Sequence, residues 1–96
     1  MMMRKREVPY SAQYRRDYKR AKKQGRDISL LREAIGLLAN DVPMPGKYCD
    51  HALQGNWKGY RECHIASDWL LVYKKTDKGG LLLLLTRLAS HSELDF

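Results

Sequence analysis

The apolar residues in the first part of this chain recur at helical spacing, which predicts two amphipathic helices there. Tyr14, Tyr18 and Ala21 follow one another at intervals of four and three. A second series has intervals of three, four and three and consists of Ile28, Leu31, Ile35 and Leu38. Each series places its apolar side chains on one face of a helix, where they can be buried against another layer.

Capping residues set the expected ends of both helices. Ser11 is a typical N-cap and Gly25 a typical C-terminal residue, so the first helix is predicted over Ser11–Gln24. A cap at Asp27 or Ser29 begins the second helix, which runs to about Ala39. The short connection between them predicts a two-helix hairpin.

The last third of the chain has the composition of strands separated by turns. We predict strands at Trp57–Ile65, Trp69–Lys75 and Gly80 to about Leu88, and an extended segment at Arg4–Tyr10. The order of these elements predicts an α+β fold, with an N-terminal strand and a two-helix hairpin packed on one face of a mainly antiparallel sheet. At 96 residues, 1–96 is expected to form a single domain.

Between the helices and the strands lies an irregular segment, Asn40–Asn56. It contains prolines and glycines, has no helical period, and carries Cys49, Asp50 and His51. Irregular segments of this length in a small domain often contain functional residues. Without a secretory signal or a membrane-spanning run, we expect a cytoplasmic protein whose Cys49 and Cys63 are reduced.

The positive charge is concentrated in the first quarter of the chain. Met1–Arg26 holds ten basic and two acidic residues, whereas the remainder holds eight basic and nine acidic residues. Such a basic surface attracts nucleic acid or an acidic protein partner, and in the plainest case only keeps the protein soluble. The predicted first helix carries most of this charge, on Arg15, Arg16, Lys19, Arg20, Lys22 and Lys23.

Three histidines, His51, His64 and His91, are the main candidates for chemistry. Imidazole gives and takes protons near neutral pH, as metal-free RNA cleavage requires. Asp68 is a candidate base or a partner that orients a histidine, although aspartate in a tight connection often serves only the turn. Candidates for binding phosphate or RNA are Arg61, Arg87 and Lys58.

The aromatic residues and the cysteines allow two further interpretations. The aromatic residues Trp57, Tyr60, Trp69 and Tyr73 can stack on bases, but in a sheet with one covered face they more often form core. Zinc binding by Cys49, His51, Cys63 and His64 is disfavoured, because neighbouring strand residues point to opposite faces. The sequence therefore predicts no metal site and no cofactor.

The segment Asp50–Ile65, DHALQGNWKGYRECHI, followed by Asp68-Trp69-Leu70-Leu71-Val72-Tyr73-Lys74, resembles the signature of the YafQ family. These are toxins of bacterial type II toxin–antitoxin systems in the RelE/ParE superfamily. Tyr10-Ser11-Ala12-Gln13-Tyr14 at the start and Thr86-Arg87 leading to Ser90-His91 near the end agree with the family. The resemblance covers nearly the whole chain. One departure is that the family often closes with a Leu-Phe pair, whereas here Asp95 separates Leu94 from Phe96.

The resemblance implies a RelE-like fold and a ribosome-dependent endoribonuclease that cuts mRNA in the ribosomal A site. It implies a DinJ-like antitoxin, a heterotetrameric complex, and contact with operator DNA through that antitoxin. The family's catalytic positions match His51, His64, Asp68 and His91, and its phosphate-contacting arginines match Arg61 and Arg87. The alternatives are a non-enzymatic toxin of the gyrase-inhibitor type and a module that binds only antitoxin and operator. The histidine set disfavours the gyrase-inhibitor type, and histidine-dependent cleavage would exclude the module that only binds.

Overall fold

A computed structural model of the chain describes residues 5–78 and 80–94. It contains three helices, α1 (Ala12–Lys23), α2 (Ile28–Ala39) and α3 (His91–Leu94). Four strands, β1 (His51–Ala52), β2 (Arg61–Ala66), β3 (Trp69–Thr76) and β4 (Leu82–Ala89), form one antiparallel sheet in the order β1-β2-β3-β4. The predicted α+β class, with two helices packed on a mainly antiparallel sheet, is confirmed.

Both long helices begin at a predicted cap. The Ser11 hydroxyl accepts a hydrogen bond from the backbone N–H of Tyr14 at 2.9 Å, and the Asp27 carboxylate accepts one from Ser29 at 3.0 Å. These bonds satisfy donors that the first turn of a helix leaves unpaired. Gly25, which follows α1, has a φ of 77°, a conformation that favours glycine.

The main core lies between the helices and one face of the sheet. Tyr14 and Ala21 of α1 and Leu31, Ala34 and Leu38 of α2 pack there. The sheet contributes Cys63, Ile65, Trp69, Leu71, Tyr73, Leu83, Leu85 and Leu88. Strand side chains alternate between the two faces of the sheet. The register shift opposite Val72 and Tyr73 interrupts this alternation in β4, so Leu85 and Leu88 lie on the same face.

A smaller apolar cluster covers the face of the sheet that the long helices leave open. Leu70, Val72, Ala89 and Leu94 form its buried part, and Leu53, Trp57 and Tyr60 pack against it. The candidate aromatic residues are therefore divided between the two faces. Trp69 and Tyr73 belong to the main core, whereas Trp57 and Tyr60 lie on the open face, with their ring centroids 5.4 Å apart.

The start of the strand predicted at Trp57–Ile65 was wrong. Trp57 does not begin a strand, since Gly55–Trp57 forms a 3-10 turn and Gly59 has a φ of 96°, so pairing with β3 starts at Arg61. The described part of the N-terminal segment, which was predicted to be extended, pairs in parallel with β4 at two bridges, Glu7 with Leu82 and Tyr10 with Leu85. Pro9, which has no N–H, interrupts regular pairing between them. Within the described ranges, no helix has the length and apolar content needed to span a membrane.

Candidate active site

Strand β2 places Glu62 and His64 on the open face of the sheet. Their partners in β3 are Val72 and Leu70, which belong to the apolar cluster of that face, whereas the intervening Cys63 is buried in the main core. Two other elements bring the remaining histidines to Glu62. His51 comes from β1, directly opposite Glu62, and His91 comes from the first position of α3.

Glu62 lies at the centre of these histidines. Its Oε1 is 3.5 Å from Nε2 of His51, 3.8 Å from Nε2 of His64 and 4.0 Å from Nε2 of His91. The Glu62 side chain is only 3% exposed, whereas those of His51 and His91 are 50% and 56% exposed. We call these four residues the histidine cluster. One buried carboxylate thus faces three imidazoles that remain open to solvent.

The carboxylate of Glu62 is not fully satisfied. Its Oε2 is buried and has no hydrogen-bond partner among the described residues. A buried carboxylate oxygen without a donor costs free energy. Sequence reasoning missed Glu62, although its spacing of two from His64 on a strand already placed both side chains on one face.

Asp68 contacts His91 through one carboxylate oxygen. Its Oδ1 accepts the backbone N–H of His91 at 3.1 Å and lies 3.3 Å from Nδ1 of the same residue. The backbone hydrogen bond from His91 is the main cause that lowers the pKa of Asp68. With Nδ1 turned to a carboxylate, Nε2 of His91 is left to face Glu62. His51 is arranged in the same way. Its Nδ1 lies 2.7 Å from the Cys49 carbonyl oxygen, and its Nε2 faces Glu62.

A cavity of about 530 Å³ opens beside the histidine cluster. Its lining consists of His51, Glu62, His91 and residues 53–57, which include Trp57. This space is open to solvent and bordered by both an indole ring and imidazoles. It can receive a polar polymer segment with an unstacked base.

The predicted phosphate-binding residues are separated by the sheet. Arg61 is the cross-strand partner of Tyr73, which belongs to the main core, so its register places it on the face opposite Glu62. Its guanidinium donates to Asp50 at 3.0 Å, and this bond raises the pKa of Arg61. Lys58 is exposed after the 3-10 turn. The structure does not bring Arg61 to the histidine cluster.

Arg87 is held by a fully buried carboxylate. Its Nε donates to Asp17 of α1 at 2.9 Å, and Asp17 also accepts the backbone N–H of Leu88 at 3.0 Å. Burial opposes ionisation of Asp17, but the hydrogen bonds from Arg87 and Leu88 outweigh it, so its pKa is lowered. Arg87 pairs with Val72 across the sheet, which gives it the register of the open face.

The basic residues of α1 differ in whether their side chains are exposed or form ion pairs with other parts of the protein. Exposed side chains are those of Arg15, Arg16, Lys19, Lys22 and Lys23. Arg20 is different, because its guanidinium lies 3.0 Å from Asp17 and 3.2 Å from Glu93. Arg20 is thus tied to other parts of the protein, although the sequence groups it with its exposed neighbours.

The structure separates the residues that were weighed as zinc ligands. Cys63 is buried in the main core, and burial raises the pKa of its thiol to about 12. Cys49 and Cys63 are both free thiols. A different set, Glu62, His64 and His91, could hold a metal ion, since one ligand atom from each lies within 4.8 Å of the others. Phe96 lies outside the described residues.

Comparison with known proteins gives consistent matches. Residues 6–95 match the family model described as the bacterial toxin of type II toxin–antitoxin systems, YafQ. The mRNA interferase toxin YafQ of Escherichia coli strain K12 is 46% identical over 90 residues, which cover 93% of this chain and 95% of that protein.

Solved structures agree with these matches. One is the DinJ–YafQ toxin–antitoxin complex of E. coli, with 45% identity, a TM-score of 0.84, and coverage of 94% of this chain and 97% of that one. Another is a metal-bound toxin from Helicobacter pylori, with 41% identity, a TM-score of 0.86, and coverage of 96% and 99%.

Proposed function

This chain belongs to the YafQ family of bacterial type II toxins, and on that premise we propose that it is an endoribonuclease that cuts mRNA and thereby inhibits translation. The observation that carries the proposal is the histidine cluster, in which three imidazoles from separate elements surround one buried carboxylate beside an open cavity. The relatives at this level of identity are named mRNA interferases.

His91 is the proposed general acid, and His51 the proposed general base. His51 takes the proton from a ribose 2′-hydroxyl, whose oxygen then attacks the adjacent phosphorus. The bond from phosphorus to the 5′-oxygen breaks, and His91 donates its proton to that leaving oxygen. The products are a 2′,3′-cyclic phosphate and a free 5′-hydroxyl. Because Asp68 contacts His91, we assign it to orienting this ring rather than to the role of base.

Glu62 and His64 support the proton transfers. After cleavage the proton lies on His51 and is missing from His91, so the site must be reset. The Glu62 carboxylate lies within 4.0 Å of Nε2 in all three rings. It therefore stabilises whichever imidazole is protonated. We assign His64 to polarising the scissile phosphate, a task that a cationic ring can perform without a metal ion.

We assign binding of the scissile phosphate to Arg87. The Nε of Arg87 donates a hydrogen bond to Asp17 at 2.9 Å, which fixes the position of the guanidinium. The register of Arg87 in β4 is that of the open face. Fixed charges of this kind stabilise a transition state at little reorganisation cost. Contacts of Lys58 and Arg61 with RNA outside the scissile bond stay predictions, since Arg61 has the register of the opposite face.

We further propose that cleavage occurs on the ribosome, in its A site. The exposed basic residues of α1, Arg15, Arg16, Lys19, Lys22 and Lys23, supply a surface for ribosomal RNA. The same charge suits an acidic segment of a DinJ-like antitoxin, the partner seen with a relative that is 45% identical. The proposal also includes a heterotetramer of toxin and antitoxin, and contact with operator DNA through the antitoxin. Since ribosomes are cytoplasmic, it places the action of the chain in the cytoplasm.

The test is a cleavage assay with the purified chain and a defined mRNA, with and without ribosomes. Mapping of the RNA ends by primer extension should show codon-phased cuts only when ribosomes are present. Cuts in free RNA of equal efficiency would remove ribosome dependence from the proposal. An absence of cuts, together with inhibition of gyrase supercoiling, would favour the non-enzymatic alternative.

A further inference from the structure

Helix α3 is too short to hold its own position. It consists of four residues, His91–Leu94, and its first residue is the proposed general acid. An isolated helical segment of this length is not stable in water. The orientation of His91 therefore depends on what holds α3 against the rest of the protein. Asp68 contacts His91 itself and Leu94 is buried in the smaller apolar cluster, so the polar contacts of the turn decide how its first residue is held.

A capping box closes the start of α3. The Glu93 carboxylate accepts the backbone N–H of Ser90 at 2.8 Å through Oε1, and the Ser90 hydroxyl accepts the backbone N–H of Glu93 at 3.3 Å. These reciprocal bonds satisfy two donors at the start of the turn. The other carboxylate oxygen of Glu93, Oε2, points to Arg20 of α1, whose Nε is 3.2 Å away.

Arg20 joins this cap to the rigid part of the fold. Its guanidinium also lies 3.0 Å from Oδ1 of Asp17. Asp17 has no exposed side-chain surface and accepts the backbone N–H of Leu88 in β4. The contacts therefore run without interruption from β4 through Asp17 and Arg20 to Glu93. The four-residue helix α3 thus contacts α1 through Glu93 and the β2–β3 turn through His91, which donates to Asp68.

We propose that Arg20 and Glu93 are positioning residues, which hold α3 so that His91 faces the reacting phosphate. The proposal rests on the proposed function, since it concerns the placement of the general acid. It separates Arg20 from the exposed basic residues of α1 and assigns it an intramolecular role. The ion pair is partly exposed and contributes little stability, whereas a small displacement of a catalytic group lowers the rate sharply.

The test compares Arg20→Gln, Glu93→Gln and the double variant. Glu93→Gln keeps an oxygen for the Ser90 N–H but removes the charge that faces Arg20. Rates are measured with ribosome-bound mRNA at several ribosome concentrations. Each single variant should lower kcat about tenfold with KM unchanged. The double variant should lose no more than either single one, because both changes break the same contact. Glu33→Gln and Arg32→Gln on α2 are matched controls, with exposed side chains.

Two further measurements separate the possible failures. Thermal unfolding shows whether a variant still folds, and Arg20→Lys serves as a milder change, since an ammonium group cannot reproduce both guanidinium contacts. The imidazole NMR signals of His91 report its placement without any cleavage. A change in the His91 imidazole signals of Glu93→Gln supports the positioning role of Glu93. If the wild type cuts no mRNA, that result contradicts the proposed function but leaves this NMR test of the positioning role in place. Unchanged His91 signals, additive effects, or an Arg20 variant that raises only KM would overturn the positioning role.

Discussion

Asp68 Oδ1 accepts the backbone N–H of His91 at 3.1 Å and lies 3.3 Å from Nδ1 of the same side chain. Asp68 itself is fixed by the tight β2–β3 turn, where its φ is 51°. One carboxylate oxygen thus fixes both the backbone and the ring of the proposed general acid. The arrangement leaves Nε2 of His91 directed into the histidine cluster.

Asp68→Asn should therefore lower mRNA cleavage by about 100-fold, because it removes the charge that orients and stabilises a protonated His91. The lowered pKa of Asp68 keeps it ionised throughout the neutral range. The wild-type rate should accordingly show no titration of Asp68 between about pH 6 and 8. Cleavage rates measured across this range check both statements. Full activity of Asp68→Asn would contradict the assigned role.

Glu62→Gln is expected to separate activity from stability. The amide retains the shape of the side chain but not its charge, so cleavage should fall by about 100-fold. Stability should stay the same or rise by about 1 kcal/mol, because the change removes a buried carboxylate with an unpartnered oxygen. Urea unfolding and cleavage assays on the same preparation measure both, with Glu33→Gln as a control. A large loss of stability with normal cleavage would show that Glu62 is structural.

Glu62, which the sequence analysis did not identify as a site residue, illustrates what the sequence can and cannot predict. The helices, their caps at Ser11 and Asp27 and the fold class follow from apolar spacing and capping chemistry, which are local properties. The same strand alternation that placed Cys63 and His64 on opposite faces also pairs Glu62 with His64, and it removes Arg61 from their side. That signal was present in the predicted strand Trp57–Ile65, which already contains Glu62 and His64.

Other features depend on contacts between distant segments and have no local signal. Arg20 has the same sequence environment as its exposed neighbours, yet it contacts Glu93 and Asp17. Only the packing of α1 beside β4 and α3 distinguishes it. The convergence of His51, His64 and His91 on one carboxylate likewise arises from sheet register and from the position of α3.

Asp17→Asn tests the buried ion pair with Arg87. At pH 7 the variant should be less stable by about 3 kcal/mol, because it leaves the guanidinium beside an uncharged amide. The pKa of Asp17 is lowered in the folded state. Its contribution is thus fully present above the unfolded value of about 3.9 and is lost as the pH falls through the folded value. Urea unfolding at neutral and strongly acidic pH should show a difference from wild type that shrinks in acid.

Asp27→Asn is the matched control, since asparagine caps helices as well as aspartate does. It should leave stability at pH 7 nearly unchanged. An Asp17→Asn variant as stable as this control would contradict the account of Arg87.

Metal removal tests the proposed acid–base mechanism. Phenanthroline binds zinc and copper but leaves the magnesium that ribosomes need. Cleavage by the wild-type chain should be unaffected by it, since the proposed mechanism uses only the chain's own side chains. A loss of activity that added zinc restores would instead show that Glu62, His64 and His91, which could hold an ion, do so during catalysis.

The most direct test of the central claim is induced expression of the wild type and of His91→Ala in bacteria, with primer extension mapping of mRNA ends. We expect the wild type to arrest growth and to produce codon-phased mRNA ends, and His91→Ala to do neither while still folding. If His91→Ala cuts mRNA as the wild type does, the assignment of His91 as general acid is wrong. If both arrest growth without new mRNA ends, the chain does not act as an endoribonuclease.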